Sequence, residues 1–243
     1  MKVIYEPRGR AKEYSDLACN WYMGCIHGCH YCFAPGCMRK KMNDWHAEAP
    51  LRDNILQLFR KDAEEMQQNH DTRPILFSFL SDPYQPIEEK YKITRQILRI
   101  VNQYGLNSKI LTKGAYSLIH RDFDLIKSAK TQLGITVCFV DDDMRKKWEP
   151  NAAPVDDRFK TLQEAHAEGI YTWVSLEPVI NPQQALKVIR KAAPYVDFWK
   201  VGKLNHMKEI EKQVDWHKFH IDVVALLESL HANYYIKDDL KKY

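Results

Sequence analysis

Three cysteines within eight residues, Cys25, Cys29 and Cys32, are the chain's most concentrated chemistry, in the run Cys25-Ile26-His27-Gly28-Cys29-His30-Tyr31-Cys32. Thiolates crowded into short runs of this kind hold cubane iron–sulfur clusters. With Gly24 and Gly28 to let the backbone bend, the three can turn to one side and ligate three irons of a [4Fe–4S] cluster. The fourth iron is then open to a cofactor or a substrate. The same residues leave a second reading open. Together with His27, His30 or Cys37 they form a structural zinc knuckle, and the protein is then a non-catalytic zinc- or Fe–S-binding interaction module. Zinc sites usually pair two short ligand hooks across an intervening segment. No second Cys-x2-Cys hook exists, since Cys19, Cys37 and Cys138 stand singly. Nothing in the sequence suggests an oxidising compartment, so disulfides are not expected.

Such a loop needs rigid elements to aim it. Short apolar, β-branched runs alternate with helical spacing, and strand starts are expected near residues 17, 75, 109, 134, 171, 197 and 233. The first, over residues 16–23, feeds the cysteine loop. The second ends at Ser81-Asp82-Pro83-Tyr84-Gln85-Pro86, the third at Leu111-Thr112-Lys113-Gly114, and the fourth runs over 134–140. Between them, Leu51, Ile55, Leu58, Phe59 and Met66 mark a helix from Pro50, and Ile93, Ile97, Leu98, Ile100 and Val101 mark one capped by Gly105. Further helices are expected around 122–130, over 156–168 and over 216–230. At another start Asn181 caps, Pro182 takes the first turn and Gln184 reaches back. Residues 141–150 read as a loop. This order predicts an α/β fold, a parallel sheet with helical crossovers curled into a partial or complete barrel. It forms one domain over 1–243, with 1–15 as an N-terminal arm and 204–243 as a helix and short strand closing the barrel. Chemistry in such barrels sits at the C-terminal ends of the strands.

The cysteine spacing resembles that of the radical S-adenosylmethionine (SAM) superfamily. Residues 20–32, Ser81-Asp82-Pro83-Tyr84-Gln85-Pro86-Ile87-Glu88 and Leu111-Thr112-Lys113-Gly114 resemble the spore photoproduct lyase group and its DNA repair photolyase-like relatives. Trp148-Glu149-Pro150 with Arg158 is similar to a further signature of those relatives, and the likeness runs over residues 16–180. It implies a partial (β/α)6 TIM-type barrel with a [4Fe–4S] cluster on Cys25, Cys29 and Cys32. SAM would be chelated at the open iron and reductively cleaved to a 5′-deoxyadenosyl radical that abstracts a hydrogen atom. The chain would then be a lyase- or transferase-like enzyme served by a flavodoxin- or ferredoxin-like one-electron reductant.

By the same likeness Ser81 and Lys113 hold the methionyl end of SAM, an ammonium pairing with its carboxylate. Asp82 accepts from the SAM amino group or orients Ser81, and Thr136 reaches the ribose or carboxylate. Glu177 binds at the end of the fifth strand or merely ends it. Tyr31 shields the cluster, relays a hydrogen atom or simply packs. Where the lyase has a hydrogen-donating cysteine two residues before the Ser-Asp pair, Phe79 stands here. Cys138 and Cys37 are the substitutes, each equally readable as an ordinary thiol.

At 243 residues and 45% hydrophobic the chain can bury a single large core. No apolar run spans a bilayer, and residues 1–8 hold no signal-peptide core, so a cytoplasmic monomer is expected. A net charge of +4, from 36 basic against 32 acidic residues, does not by itself demand a nucleic-acid partner. Arg39-Lys40-Lys41 and Arg145-Lys146-Lys147, with Trp45 and Trp148 for stacking, nevertheless make a nucleobase a candidate substrate, extruded or single-stranded. Tyr84, Lys200, Lys203, Asn205 and His206 are candidates for the rim of the site.

Overall fold

In the computed structural model, which describes residues 2–243, seven short parallel strands lie side by side in chain order. They are β1 (Leu17–Cys19), β2 (Ile75–Phe77), β3 (Ser108–Thr112), β4 (Gln132–Thr136), β5 (Thr172–Val179), β6 (Phe198–Lys203) and β7 (Tyr234–Ile236). The register sets Cys19 beside Phe77, Phe77 beside Ile110, Thr112 beside Ile135 and Thr136 beside Ser175. β1 and β2 are buried at every position, as expected of a parallel sheet covered on both faces.

The main crossover helices are α1 (Ile55–Gln68), α2 (Ile93–Tyr104), α3 (Phe123–Ser128), α4 (Val155–Ala167), α5 (Pro182–Ala192) and α6 (Trp216–Ser229). Each lays an apolar stripe on the sheet. In α2 the buried residues Ile93, Ile97, Leu98, Ile100 and Val101 recur three and four apart. Fully burying each such side chain contributes roughly 1.5–3 kcal/mol.

β1 does not pair with β7, so the architecture is a partial TIM-type barrel with an open seam. The segment over 204–243 adds β7 to one edge and leaves the ring unclosed, against expectation. The N-terminal arm crosses the seam instead. Tyr5 forms an antiparallel bridge to Ala18 of β1, and a 3-10 turn over Gly9–Glu13 carries the chain across. Glu13 then accepts from Tyr235 Oη at 3.1 Å and from Asp238 N at 3.0 Å, at the end of β7.

Other expectations are corrected locally. Residues 50–54 are not helical, because Leu51 bridges Tyr22 and α1 begins at Ile55. Residues 141–150 are not a loop, since a helix spans Asp142–Trp148. Asp141 caps it, accepting from Asp143 N and Met144 N at 2.9 and 3.1 Å. Acids in its first turn and bases in its last suit the helix dipole. β4 starts earlier than expected and ends at Thr136, so residues 137–140 leave the sheet. Asn181 caps α5 by accepting from Gln184 N at 3.1 Å. The Gln184 side chain does not reach back; it accepts from Val140 N at 2.9 Å and Asp141 N at 3.2 Å.

Candidate active site

A cavity of about 340 Å³ opens at the C-terminal ends of the strands. Ser81 and Asp82 enter it after β2, Lys113 after β3, Thr136 at the end of β4 and Glu177 from β5. Tyr31 lines it from the cysteine loop.

The loop is gripped from three sides. Cys25 N donates to Trp45 O at 3.1 Å, Ile26 N to the buried Gln85 Oε1 at 3.0 Å, and His30 N to Trp148 O at 2.9 Å. Two glycines are needed where they stand. A Cβ on Gly24 would lie 2.0 Å from Glu48 O, and Gly28 has φ +66°. Cys25 and Cys29 are buried, Cys32 is half-buried, and all are free thiols. Burial pushes all three thiols up, Cys29 to about 12, and neighbouring thiols add to the rise in each. Lys113 acts the other way on Cys29 and Cys32. Buried thiols that sense one another beside an ammonium fit a cationic cluster, which binds the thiolate form.

Among the described residues no three His, Cys, Asp or Glu side chains converge on one point. His27, offered above as a zinc ligand, is buried with Nδ1 3.4 Å from Asp82 Oδ2.

Beside the loop, polar groups stand without partners. Ser78 Oγ and Ser81 Oγ are buried and make no hydrogen bond. Lys113 Nζ makes no hydrogen bond or ion pair among the described residues and lies 5.7 Å from the centre of the Tyr31 ring. Burial works against its charge, but Cys29, Glu149, Cys138 and Asp82 outweigh it and raise the pKa. Unmet buried donors and acceptors are costly, and a ligand relieves the cost. Thr136 faces the same space while its carbonyl accepts from Arg158 Nη1 at 3.0 Å.

Asp82 differs, because its carboxylate is already occupied. Oδ1 accepts from Tyr84 N at 2.8 Å and Thr112 Oγ1 at 2.6 Å, and Oδ2 accepts from Lys113 N at 2.7 Å. It holds the backbone of Lys113 in place.

Several candidates lie elsewhere. Cys138 is 1% exposed and has no surface on the cavity, whereas the exposed Cys37 does line it. Tyr84 is buried with its hydroxyl 3.1 Å from Asp122 Oδ2, off the site. Trp45 is 1% exposed and cannot stack on a base, and Arg145 is buried under residues 149–152. Lys200 lies outside the lining, whereas Lys203, Asn205 and His206 are on it.

Glu177 is on the wall, yet its carboxylate is bound within the protein. It accepts from Tyr14 Oη and, through both oxygens, from Lys237 Nζ at 2.8 Å. Sequence reasoning missed Tyr14, Gln85, Ser78 and Lys237. Only Gln85 carried a signal, as part of the quoted Ser-Asp-Pro-Tyr-Gln-Pro segment. Ser78 directly follows β2, three residues before Ser81, and Tyr14 and Lys237 are brought in by long-range contacts.

Residues 19–193 match the family model of the Radical SAM superfamily. The match covers most of the chain and includes Cys25, Cys29 and Cys32, so the chain belongs to that superfamily of cluster- and SAM-dependent enzymes. It is similar to an uncharacterised protein of Methanocaldococcus jannaschii, 28% identical over 76% of this chain and 69% of that one. A protein of Acidianus two-tailed virus is 25% identical over 78% of this chain and 65% of that one. The chain spans about half the length (48%) of a Mycobacterium tuberculosis relative, at 27% identity over 66% of this chain. In fold it is similar to a spore photoproduct lyase variant with bound AdoMet and dinucleoside spore photoproduct, with TM-score 0.70 and 12% identity over 95% of this chain and 78% of that one. SuiB of Streptococcus suis bound to S-adenosylmethionine gives a TM-score of 0.64 at 12% identity, over 90% of this chain and 46% of that one.

Proposed function

We propose that Cys25, Cys29 and Cys32 hold a [4Fe–4S] cluster and that Ser81, Lys113 and Thr136 bind SAM. The substrate enters the half of the cavity bounded by β5 and β6. The observation that carries this reading is Lys113, an unpartnered ammonium that lines the cavity, packs beside Tyr31 of the cysteine loop and is kept charged in part by Cys29. When bound and reduced, the cluster and SAM together supply a 5′-deoxyadenosyl radical for hydrogen-atom abstraction.

The residues' own tasks follow from their chemistry. Lys113 pairs with the SAM carboxylate, Ser81 adds a hydroxyl, and Asp82 holds the Lys113 backbone. Phe33 and Phe79, with ring centroids 5.4 Å apart, line an apolar stretch of the wall that excludes water from a reactive intermediate. The electron comes from a flavodoxin- or ferredoxin-like donor in the cytoplasm, and the enzyme works as a monomer. A nucleobase, extruded or single-stranded, is the substrate class we place first, on the likeness in fold to spore photoproduct lyase.

Anaerobic reconstitution tests the chemistry. Four irons and four sulfides per chain, with 5′-deoxyadenosine formed only when reductant is present, are expected. One tightly held zinc and intact SAM would leave an interaction module. Deuterium passing from a labelled oligonucleotide into 5′-deoxyadenosine would identify the substrate class, and its absence across DNA and RNA would remove nucleic acid.

A further inference from the structure

Tyr31 sits between two of the cluster cysteines, but its hydroxyl is turned to Glu149, to which it donates. Glu149 is fully buried and pairs through its second oxygen with Arg158 Nη1 at 2.6 Å. Although burial alone would raise the Glu149 pKa, Arg158, Lys113 and Tyr31 hold it below the usual carboxylate range. Arg158 in turn donates from Nε to Ala153 O and from Nη1 to Thr136 O, each at 3.0 Å.

The same short segment touches both halves of the SAM site. On the cysteine side, Trp148 O accepts from His30 N, Asn151 N donates to His27 O at 3.1 Å, and Asn151 Nδ2 donates to Ile26 O at 3.0 Å. On the other side, Ala153 N donates to Lys113 O at 2.9 Å. Arg145 fixes the segment itself, donating to the carbonyls of Glu149, Pro150 and Ala152 at 3.1–3.2 Å.

We propose that Tyr31, Glu149 and Arg158 form a brace that sets the distance between the three cluster thiols and the Lys113 ammonium, with Tyr31 a positioning residue and not a hydrogen-atom relay. The inference rests on the proposed function, because it assigns the brace to the SAM site named there. The hydroxyl has one hydrogen to donate, and Glu149 takes it. The ring lies against Lys113, whose Nζ is 5.7 Å from its centre.

The test is SAM titration of the reconstituted, reduced protein, followed by the electron paramagnetic resonance of the cluster, beside thermal melting of each variant. Tyr31→Phe removes one hydroxyl and leaves the Glu149–Arg158 pair. Glu149→Gln keeps shape and removes charge. Supporting partners of metal sites typically contribute about 10–100-fold, so Glu149→Gln should weaken SAM binding about tenfold and Tyr31→Phe somewhat less. In Tyr31→Phe the rate at saturating SAM should stay near that of the parent while the SAM requirement rises. Combined with Lys113→Ala, Tyr31→Phe should lose less than the product of the two single effects, since both act on one distance.

A Tyr31→Phe protein with parental SAM affinity and spectrum, or one whose rate collapses at saturating SAM, overturns the brace. If Glu149→Gln fails to fold, the Tyr31→Phe comparison still decides. A parent protein that assembles no cluster or binds no SAM overturns the proposed function instead, so the two failures are distinct.

Discussion

The two walls of the cavity treat charge in opposite ways. On the wall built from the ends of β2, β3 and β4, Ser78 Oγ, Ser81 Oγ and Lys113 Nζ have no partner. On the wall built from β5, β6 and the arm, nearly every charge is matched. Lys237 pairs with Glu177 at 2.8 Å and Glu13 at 3.5 Å, Lys203 with Glu211 at 2.7 Å, and Asp239 accepts from Asn205 at 2.6 Å. Folding tolerates unmet buried polarity where a ligand will meet it. The matched wall has a different task, joining the arm to β7 across the open seam. The contrast teaches that polar residues at strand ends are not equivalent: those of β2 and β3 leave buried groups without partners, and those beyond β5 and β6 are largely spent on holding the arm.

Substitutions can break that contrast. The largest effect is expected for Cys29→Ala, which should abolish cluster assembly, read as iron and sulfide content after reconstitution. A fully loaded variant would remove Cys29 from the ligand set. Next, Lys237→Ala leaves the half-buried Glu177 carboxylate with Tyr14 but without its cation, a loss of about 1–3 kcal/mol. Its melting temperature should fall while SAM affinity per folded molecule holds. Lys113→Ala should show the reverse: SAM affinity down about tenfold, or ~1.4 kcal/mol, with no loss of stability. Should Lys113→Ala destabilise the protein as Lys237→Ala does, the two walls are not different in kind.

The smallest effect concerns Lys200, whose pKa burial lowers to about 8, with help from Lys109 and Lys237. It donates to Glu13 O under the arm, its Nζ 4.5 Å from the Tyr14 ring centre. Its folded pKa lies below the ordinary lysine value, so above pH 8 the folded protein releases a proton that the unfolded chain retains. Stability from this group therefore rises with pH between about 8 and 10. Lys200→Met should be more stable than the parent at pH 7, by about 1–2 kcal/mol, and the advantage should shrink by pH 9.5. An advantage independent of pH would mean the amine keeps its ordinary lysine pKa in the folded protein. Taking the difference between the two proteins removes the opposing contribution of the buried thiols.

Much of the wall at the ends of β2, β3 and β4 was legible in the sequence, because it is written in local signals. Each strand is a short apolar run bounded by turn residues, so all seven starts could be read within a few residues. The cysteine spacing and the Ser81 and Lys113 positions each lie at one strand end. The matched wall was not legible. Tyr14, Glu177 and Lys237 come from the arm, from β5 and from beyond β7, and no spacing rule links residues so far apart. Glu177 was accordingly assigned to the cofactor when its carboxylate is held by Tyr14 and Lys237. The helix over Asp142–Trp148 was overlooked for another reason: its acid-then-base order was seen as charge, when it is the signature of a capped helix end to end. The sequence offers Trp45 as a stacking platform, and only tertiary burial reveals that it supports Cys25, whose N–H donates to the Trp45 carbonyl.

The bond from Asp238 N to Glu13 spans 225 positions of sequence. The start of the arm is held by nearby sequence, Tyr5 on Ala18 and the Val3 and Ile4 amides on Asp62, whereas Glu13 at its end is held by residues more than two hundred positions away. Closure of the seam at Glu13 is therefore a contact of very high sequence separation, costing more loop-closure entropy than any pairing of neighbouring strands.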